Sequence, residues 1–217
     1  MSVIEKVSYN ISNKIGNKAN KSKDEIEVIN YGLFMAIHTL VSIIITIIVG
    51  VLIGKLNEIL LISLVASSLK RCSGGVHATS PNRCLIIGVI TSIIFTYISL
   101  IFGRYSDLKN LIIFSALILS TCYFVFYKKA PVGTKNKPLK KESIRKKLRK
   151  KLFITLNLYY ILIAIFILCM FENLIDYNFI NYIYCVELGI VLQCMSLTKF
   201  GEYTILKLDS ILTYKNI

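Results

Sequence analysis

Residues 31–54 read YGLFMAIHTLVSIIITIIVGVLIG, with no formal charge unless His38 is protonated. A helix needs about 20 predominantly apolar residues to cross the hydrocarbon core of a bilayer. Only a helix or a closed barrel satisfies its own backbone there. This run exceeds that length and reads as a transmembrane helix. Similar runs recur at 84–102, 108–127 and 152–171, and another at 179–198 is interrupted only by Glu187 and Gln193. Residues 56–73 hold a shorter apolar stretch, ILLISLVASSL, which reads as a short span or a re-entrant hairpin. The expected fold is all-α: a single polytopic membrane domain with about six transmembrane helices.

Composition supports that class. The 217 residues are 55% hydrophobic with mean hydropathy +0.65, whereas soluble domains use roughly 45–50% apolar residues. Net charge is +14 although only 18% of residues are charged, so the basic excess is concentrated. In a membrane protein such clusters set topology and contact anionic lipids. Nucleic acid is not an expected partner, because the basic residues flank spans and carry no aromatic-studded binding motif. Of six cysteines, Cys122, Cys169, Cys185 and Cys194 fall in apolar runs, where Cys behaves as a small hydrophobe, and no disulfide framework is implied. The N-terminus lacks the pattern of a cleaved signal peptide, so the first span is expected to be retained.

Ahead of that span, residues 1–30 are polar and basic, yet Val3, Val7, Ile11 and Ile15 recur every four residues. This spacing describes an N-terminal amphipathic helix suited to the bilayer interface, or else a partly ordered tail. Tyr159, Tyr160, Tyr177, Tyr182 and Tyr184 lie near span ends, where tyrosines form an interfacial belt or pack between helices. The loop 128–151, KKAPVGTKNKPLKKESIRKKLRKK, sets Glu142 among a dozen basic residues, and basic loops stay cytoplasmic. Six spans then place the N-terminal segment, residues 74–83, this loop and the 199–217 tail inside. The loops near Glu58, Asp107 and Asp176 fall outside.

Between the second and third spans runs K-R-C-S-G-G-V-H-A-T-S-P-N-R-C, Lys70 to Cys84. Gly74-Gly75 stops a helix and tolerates conformations closed to other residues. Ser80-Pro81 looks like a helix start, with Ser80 as N-cap and Pro81 at the first helical position. Cys84 then occupies a first helical turn, where the helix dipole, unpaired N–H groups and the adjacent Arg83 favour a thiolate. His77, on the glycine-hinged loop, can fold back to accept the thiol proton, as a Cys–His nucleophile requires. The bland alternative makes His77 an interfacial polar residue and Cys84 a small apolar one. A metal site from Cys72, His77 and Cys84 lacks both zinc spacing and a fourth ligand, and no cofactor is expected.

The stretch R-C-S-G-G-V-H-A followed by Cys84 resembles the signature of the accessory gene regulator B proteins, membrane peptidases of Gram-positive peptide quorum sensing. Ala130–Leu139, APVGTKNKPL, is similar to the family's second motif, departing from it at Gly133, where an acidic residue is expected in many relatives. The resemblance implies a cysteine endopeptidase with Cys84 as nucleophile and His77 as general base and acid. Arg71, Gly74 and Gly75 would support the catalytic loop. Its substrate would be a propeptide of the accessory gene regulator D type, cut and cyclised through an acyl-thioester to a thiolactone or lactone. A homodimer in the plasma membrane of a Gram-positive bacterium is also implied.

Lys135 and Lys137 in the basic loop are candidate contacts for the acidic part of such a propeptide. Glu187 and Gln193, costly in hydrocarbon, must face protein or water. They either line a substrate groove or make interhelical hydrogen bonds. The alternative function is a small-peptide transporter that uses these two residues without proteolysis.

Overall fold

A computed structural model describes residues 3–133, 139 and 141–214, so Lys135 and Lys137 lie outside the described residues. The chain is an all-α polytopic membrane protein and divides into two compact units, residues 1–52 and 53–217.

The first unit is a pair of helices, α1 (Val3–Lys18) and α2 (Lys23–Leu52). Small residues of α1, Ser8, Ser12 and Gly16, are its buried positions, and a Cβ on Gly16 would collide with Ile26 of α2. Val3, Val7, Ile11 and Ile15 stay exposed on α1, which leaves an apolar face of the kind that lies in a bilayer interface. Helix α2 begins eight residues ahead of the apolar run. A capping box starts it there: Glu25 N–H donates to Ser22 Oγ at 3.3 Å, and Ser22 N–H donates to Glu25 Oε2 at 2.9 Å. Span and approach segment are therefore one 30-residue helix.

The second unit holds α3 (Leu56–Ser73), α4 (Pro81–Tyr105), α5 (Leu108–Lys129), α6 (Glu142–Phe171), α7 (Ile180–Met195) and α8 (Lys199–Tyr214). A 3₁₀ turn, Tyr177–Phe179, leads into α7. Two elements run further than hydropathy suggests. Helix α6 takes in the basic stretch from Glu142, since Lys, Arg and Leu are good helix formers that need no apolar environment. The tail after residue 198 is also helical, with Gly201 and Asp209 buried and Phe200, Tyr203 and Tyr214 exposed.

Helices α3 and α7 form the closest pair, enclosed by α4, α5 and α6. Ile59, Ile62, Val65 and Leu69 of α3 are almost wholly buried, as are Tyr184, Cys185, Glu187 and Ile190 of α7. Gly189 permits this closeness: a Cβ there would lie 2.8 Å from Val65 Cβ and 3.0 Å from the Ile62 carbonyl oxygen. Among the described residues, α2, α4, α5, α6 and Tyr177–Met195 are long and apolar enough to cross a membrane. The 18 residues of α3 fall outside that group. Its Ser63 and Ser68 are half-buried and bond to Ser92 and Tyr159 of neighbouring helices, while the exposed Ser67 donates to the Leu64 carbonyl of its own helix.

Interhelical hydrogen bonds join the same elements. Ser63 Oγ donates to Ser92 Oγ at 3.1 Å, Ser68 Oγ pairs with Tyr159 Oη at 2.9 Å, and Tyr160 Oη donates to the Leu119 carbonyl at 2.6 Å. Tyr184 Oη pairs with Ser106 Oγ at 2.7 Å. These three tyrosines act between helices.

The α3–α7 contact is the test of this packing. Gly189→Ala should push the two helices apart and lower thermal stability in detergent by about 1–3 kcal/mol. Gly88→Ala, with nothing within 4 Å of the added Cβ, should leave the melting temperature unchanged or raise it. Equal effects would contradict the close approach.

Candidate active site

Helix α3 ends at Ser73 because Gly74 and Gly75 follow with φ of 71° and 121°, values that side-chain-bearing residues rarely adopt. Both glycines are also too crowded for a Cβ. One on Gly74 would collide with the Val132 carbonyl, and one on Gly75 would lie 2.6 Å from Ser196 Oγ. The loop is pinned from two directions. Val132 N–H donates to the Ser73 carbonyl at 2.8 Å, and Val76 N–H donates to the Ser196 carbonyl at 3.2 Å. From inside, Gln193 Nε2 donates to Ser73 Oγ at 2.7 Å and to the Gly74 carbonyl at 2.8 Å.

At the far end of the loop Ser80 has extended backbone, Pro81 takes the first helical position, and Cys84 N–H donates to the Ser80 carbonyl at 2.9 Å. The Ser80 side chain makes no capping bond. Thr79 and Arg83 instead turn to a neighbouring helix. Thr79 N–H and Oγ1 donate to Asp209 Oδ2 at 3.2 and 2.7 Å, and Arg83 Nε donates to Asp209 Oδ1 at 2.8 Å. Burial alone would raise the Asp209 carboxyl, but the bonds from Thr79 and Arg83 outweigh it and hold it below its ordinary range. Arg83 is thereby neutralised by Asp209 and adds less charge beside the thiol than its place in the sequence suggests.

Between these anchors His77 folds back so that Nδ1 lies 3.8 Å from Cys84 Sγ. That is contact distance for a thiol and an imidazole, and the proton's place follows the tautomer. Lys70, in the last turn of α3, donates from Nζ to the Val76 carbonyl at 3.1 Å; burial lowers its ammonium below the ordinary lysine range, the charge of Cys84 opposes that, and the ammonium in turn acts on His77. Desolvation, with the Lys70 ammonium adding to it, pushes the His77 imidazole down to about 4. His77 is exposed at the surface, and the consequence that matters is the direction of the shift: a neutral imidazole, able to accept a proton, at neutral pH.

The other candidates are placed differently. Arg71 is exposed at the end of α3 and has no side-chain partner among the described residues. Gln193 is 2% exposed and spends its amide hydrogens on the loop. Glu187 is fully buried within the bundle, with neither carboxyl oxygen hydrogen-bonded. Among the described residues no group of three or more His, Cys, Asp or Glu side chains could hold a metal.

Sequence reasoning passed over Lys70 and Asp209. Lys70 opens the very stretch that drew attention, but its reach to Val76 appears only once the glycines turn the chain. Asp209 lies in the tail, more than a hundred residues from its partners Thr79 and Arg83, and no local pattern singles it out.

A family model described as accessory gene regulator B matches residues 8–197. An AgrB-like protein of Clostridium perfringens strain SM101 is 32% identical over 209 residues, covering 96% of this chain and 97% of its own. AgrB-like protein 2 of Clostridium perfringens strain 13 is 31% identical over 214 residues, again covering 96% and 97%. No solved structure matches the chain.

The lowered His77 value gives a direct test. Diethyl pyrocarbonate acylates only the neutral imidazole, so His77 in the folded protein should react nearly as fast at about pH 5 as at about pH 7, where an ordinary histidine would have lost most of its reactivity. For stability the sign follows from fewer protons being bound when folded. The contribution of His77 is complete above the ordinary value of 6.5 and is lost as pH falls toward 4. A midpoint for His77 acylation near the ordinary value would contradict the shift.

Proposed function

The chain belongs to the accessory gene regulator B family, and on that premise we propose that it is a cysteine endopeptidase that cuts a quorum-sensing propeptide and promotes closure of the product into a ring. Membership carries a role in accessory gene regulator quorum sensing and a link to a propeptide of the D type. The single observation supporting the chemistry is the contact of His77 Nδ1 with Cys84 Sγ at a helix start.

In this reading neutral His77 takes the Cys84 proton, and the thiolate attacks the scissile carbonyl. The tetrahedral oxyanion forms beside the start of α4, where the N–H groups of Asn82 and Arg83 precede the first intrahelical bond. The Lys70 ammonium adds positive charge. Collapse breaks the C–N bond, His77 returns its proton to the leaving amine, and the N-terminal part of the peptide stays on Cys84 as a thioester. A thiol or hydroxyl of the same peptide then attacks that carbonyl and loses its proton to His77. The C–S bond to Cys84 breaks, and the thiolate recovers the proton. Thioester exchange with a thiol is nearly isoenergetic, so holding the peptide's nucleophile close while limiting water decides between ring and linear product.

The propeptide's acidic part would meet the basic segment that includes Lys135 and Lys137, with anionic lipid as a second ligand there. The site, both termini and that segment would lie on the cytoplasmic side of the cell membrane, following the Lys/Arg distribution.

Coexpression with the cognate propeptide tests the reading. Cys84→Ala and His77→Ala should each lower peptide cleavage by at least about a thousandfold, as loss of one member of a nucleophile pair does. Cys72→Ser should cleave at the normal rate. Cleavage by Cys84→Ala at the normal rate would refute the assignment, and peptide transport without cleavage would favour an exporter.

A further inference from the structure

Asp209 lies on α8, beyond residue 197, where the family match ends. The chemistry above makes no use of it. Yet it is 4% exposed and its carboxylate accepts all three bonds from Thr79 and Arg83 described above. Arg83 Nη2 also donates to Thr79 Oγ1 at 2.6 Å, which closes a ring of three side chains.

The ring's place in the chain gives it meaning. Thr79 is two residues after His77, and Arg83 immediately precedes Cys84. Both points held by Asp209 therefore lie on the short segment that sets the His77–Cys84 separation. Ser80 leaves the helix start uncapped by its own side chain, so the carboxylate supplied by α8 braces the turn from outside. Electrostatics argues against a direct role, because a carboxylate near the thiol disfavours the thiolate and is here offset by Arg83.

Building on the peptidase reading, we propose that Asp209 is a positioning residue, clamping Thr79 and Arg83 so that His77 and Cys84 meet. The helix that carries it exposes Phe200, Tyr203 and Tyr214 on its outer side, while its packing against α4 presents the carboxylate to the loop.

The test uses the full chain in lipid nanodiscs, with Asp209→Asn, Asp209→Glu and Thr79→Val compared with the unsubstituted protein. Iodoacetamide alkylation of Cys84 is followed peptide by peptide, with Cys72 as internal reference, alongside amide hydrogen exchange over residues 77–84. Asp209→Asn should slow Cys84 alkylation at neutral pH by about fivefold or more, well within what a positioned base contributes. It should leave Cys72 unaffected and speed exchange over 77–84. Asp209→Glu should recover part of the loss. Thr79→Val, which keeps the Asp209–Arg83 pair, should give a smaller fall and decides the matter if Asp209→Asn fails to fold. An unchanged Cys84 rate in both Asp209→Asn and Thr79→Val overturns the clamp. If Cys84 in the unsubstituted chain reacts no faster than Cys72, the peptidase reading fails instead. Exchange then decides alone: faster in Asp209→Asn upholds the clamp, and unaltered overturns it.

Discussion

Gln193 is buried by protein in the last turn of α7, where an amide has no water to turn to and must find its partners in the fold. It finds them at the end of α3, in Ser73 Oγ and the Gly74 carbonyl. That choice fixes where α3 stops. With the Gly74 carbonyl held inward, the chain leaves the helix axis at a positive φ, Gly75 repeats the turn, and His77 is carried back over the start of α4. Lose those bonds and the buried Gln193 amide is left without its partners while the loop loses its inner tie, so each half of the arrangement holds the other in place. The second motif joins the same knot from outside through the Val132 bond to Ser73.

His77 and Cys84 are brought together by placement, without a dedicated acid. Among the described residues no carboxylate is hydrogen-bonded to the His77 ring, and Asp209, which reaches the same loop, is engaged with Thr79 and Arg83. What lowers the imidazole is its desolvation and the Lys70 ammonium, both results of a charged helix end folded under a loop. A lysine at the last turn of α3 also suits the helix dipole, so one residue serves helix and site together.

The helical class, the hinge at Gly74-Gly75 and the pairing of His77 with Cys84 were legible in the sequence, because each rests on local chemistry: apolar run length, glycine conformation and a proline helix start. Three things were not. The early start of α2 came from a capping box at Ser22 and Glu25, a short-range signal masked by the polar character of the stretch. The engagement of Gln193 with the loop is a contact across more than a hundred residues, and nothing local distinguishes it from a groove-lining amide. Asp209 was hidden for the same reason, since its partners lie on the far side of the fold in sequence terms.

The enclosure of α3 by later helices has a bearing on how the protein is made. A helix this short, with four serines along it and Lys70 and Arg71 at its end, partitions weakly into lipid by itself. The surface it is built to meet belongs to α7, which a ribosome delivers only after α4, α5 and α6. Until α7 arrives, Ser73 and the Gly74 carbonyl have no Gln193 and the loop has no fixed course. The contact of His77 with Cys84 is therefore a property of the finished polypeptide, made only after the other helices have been threaded into the bilayer.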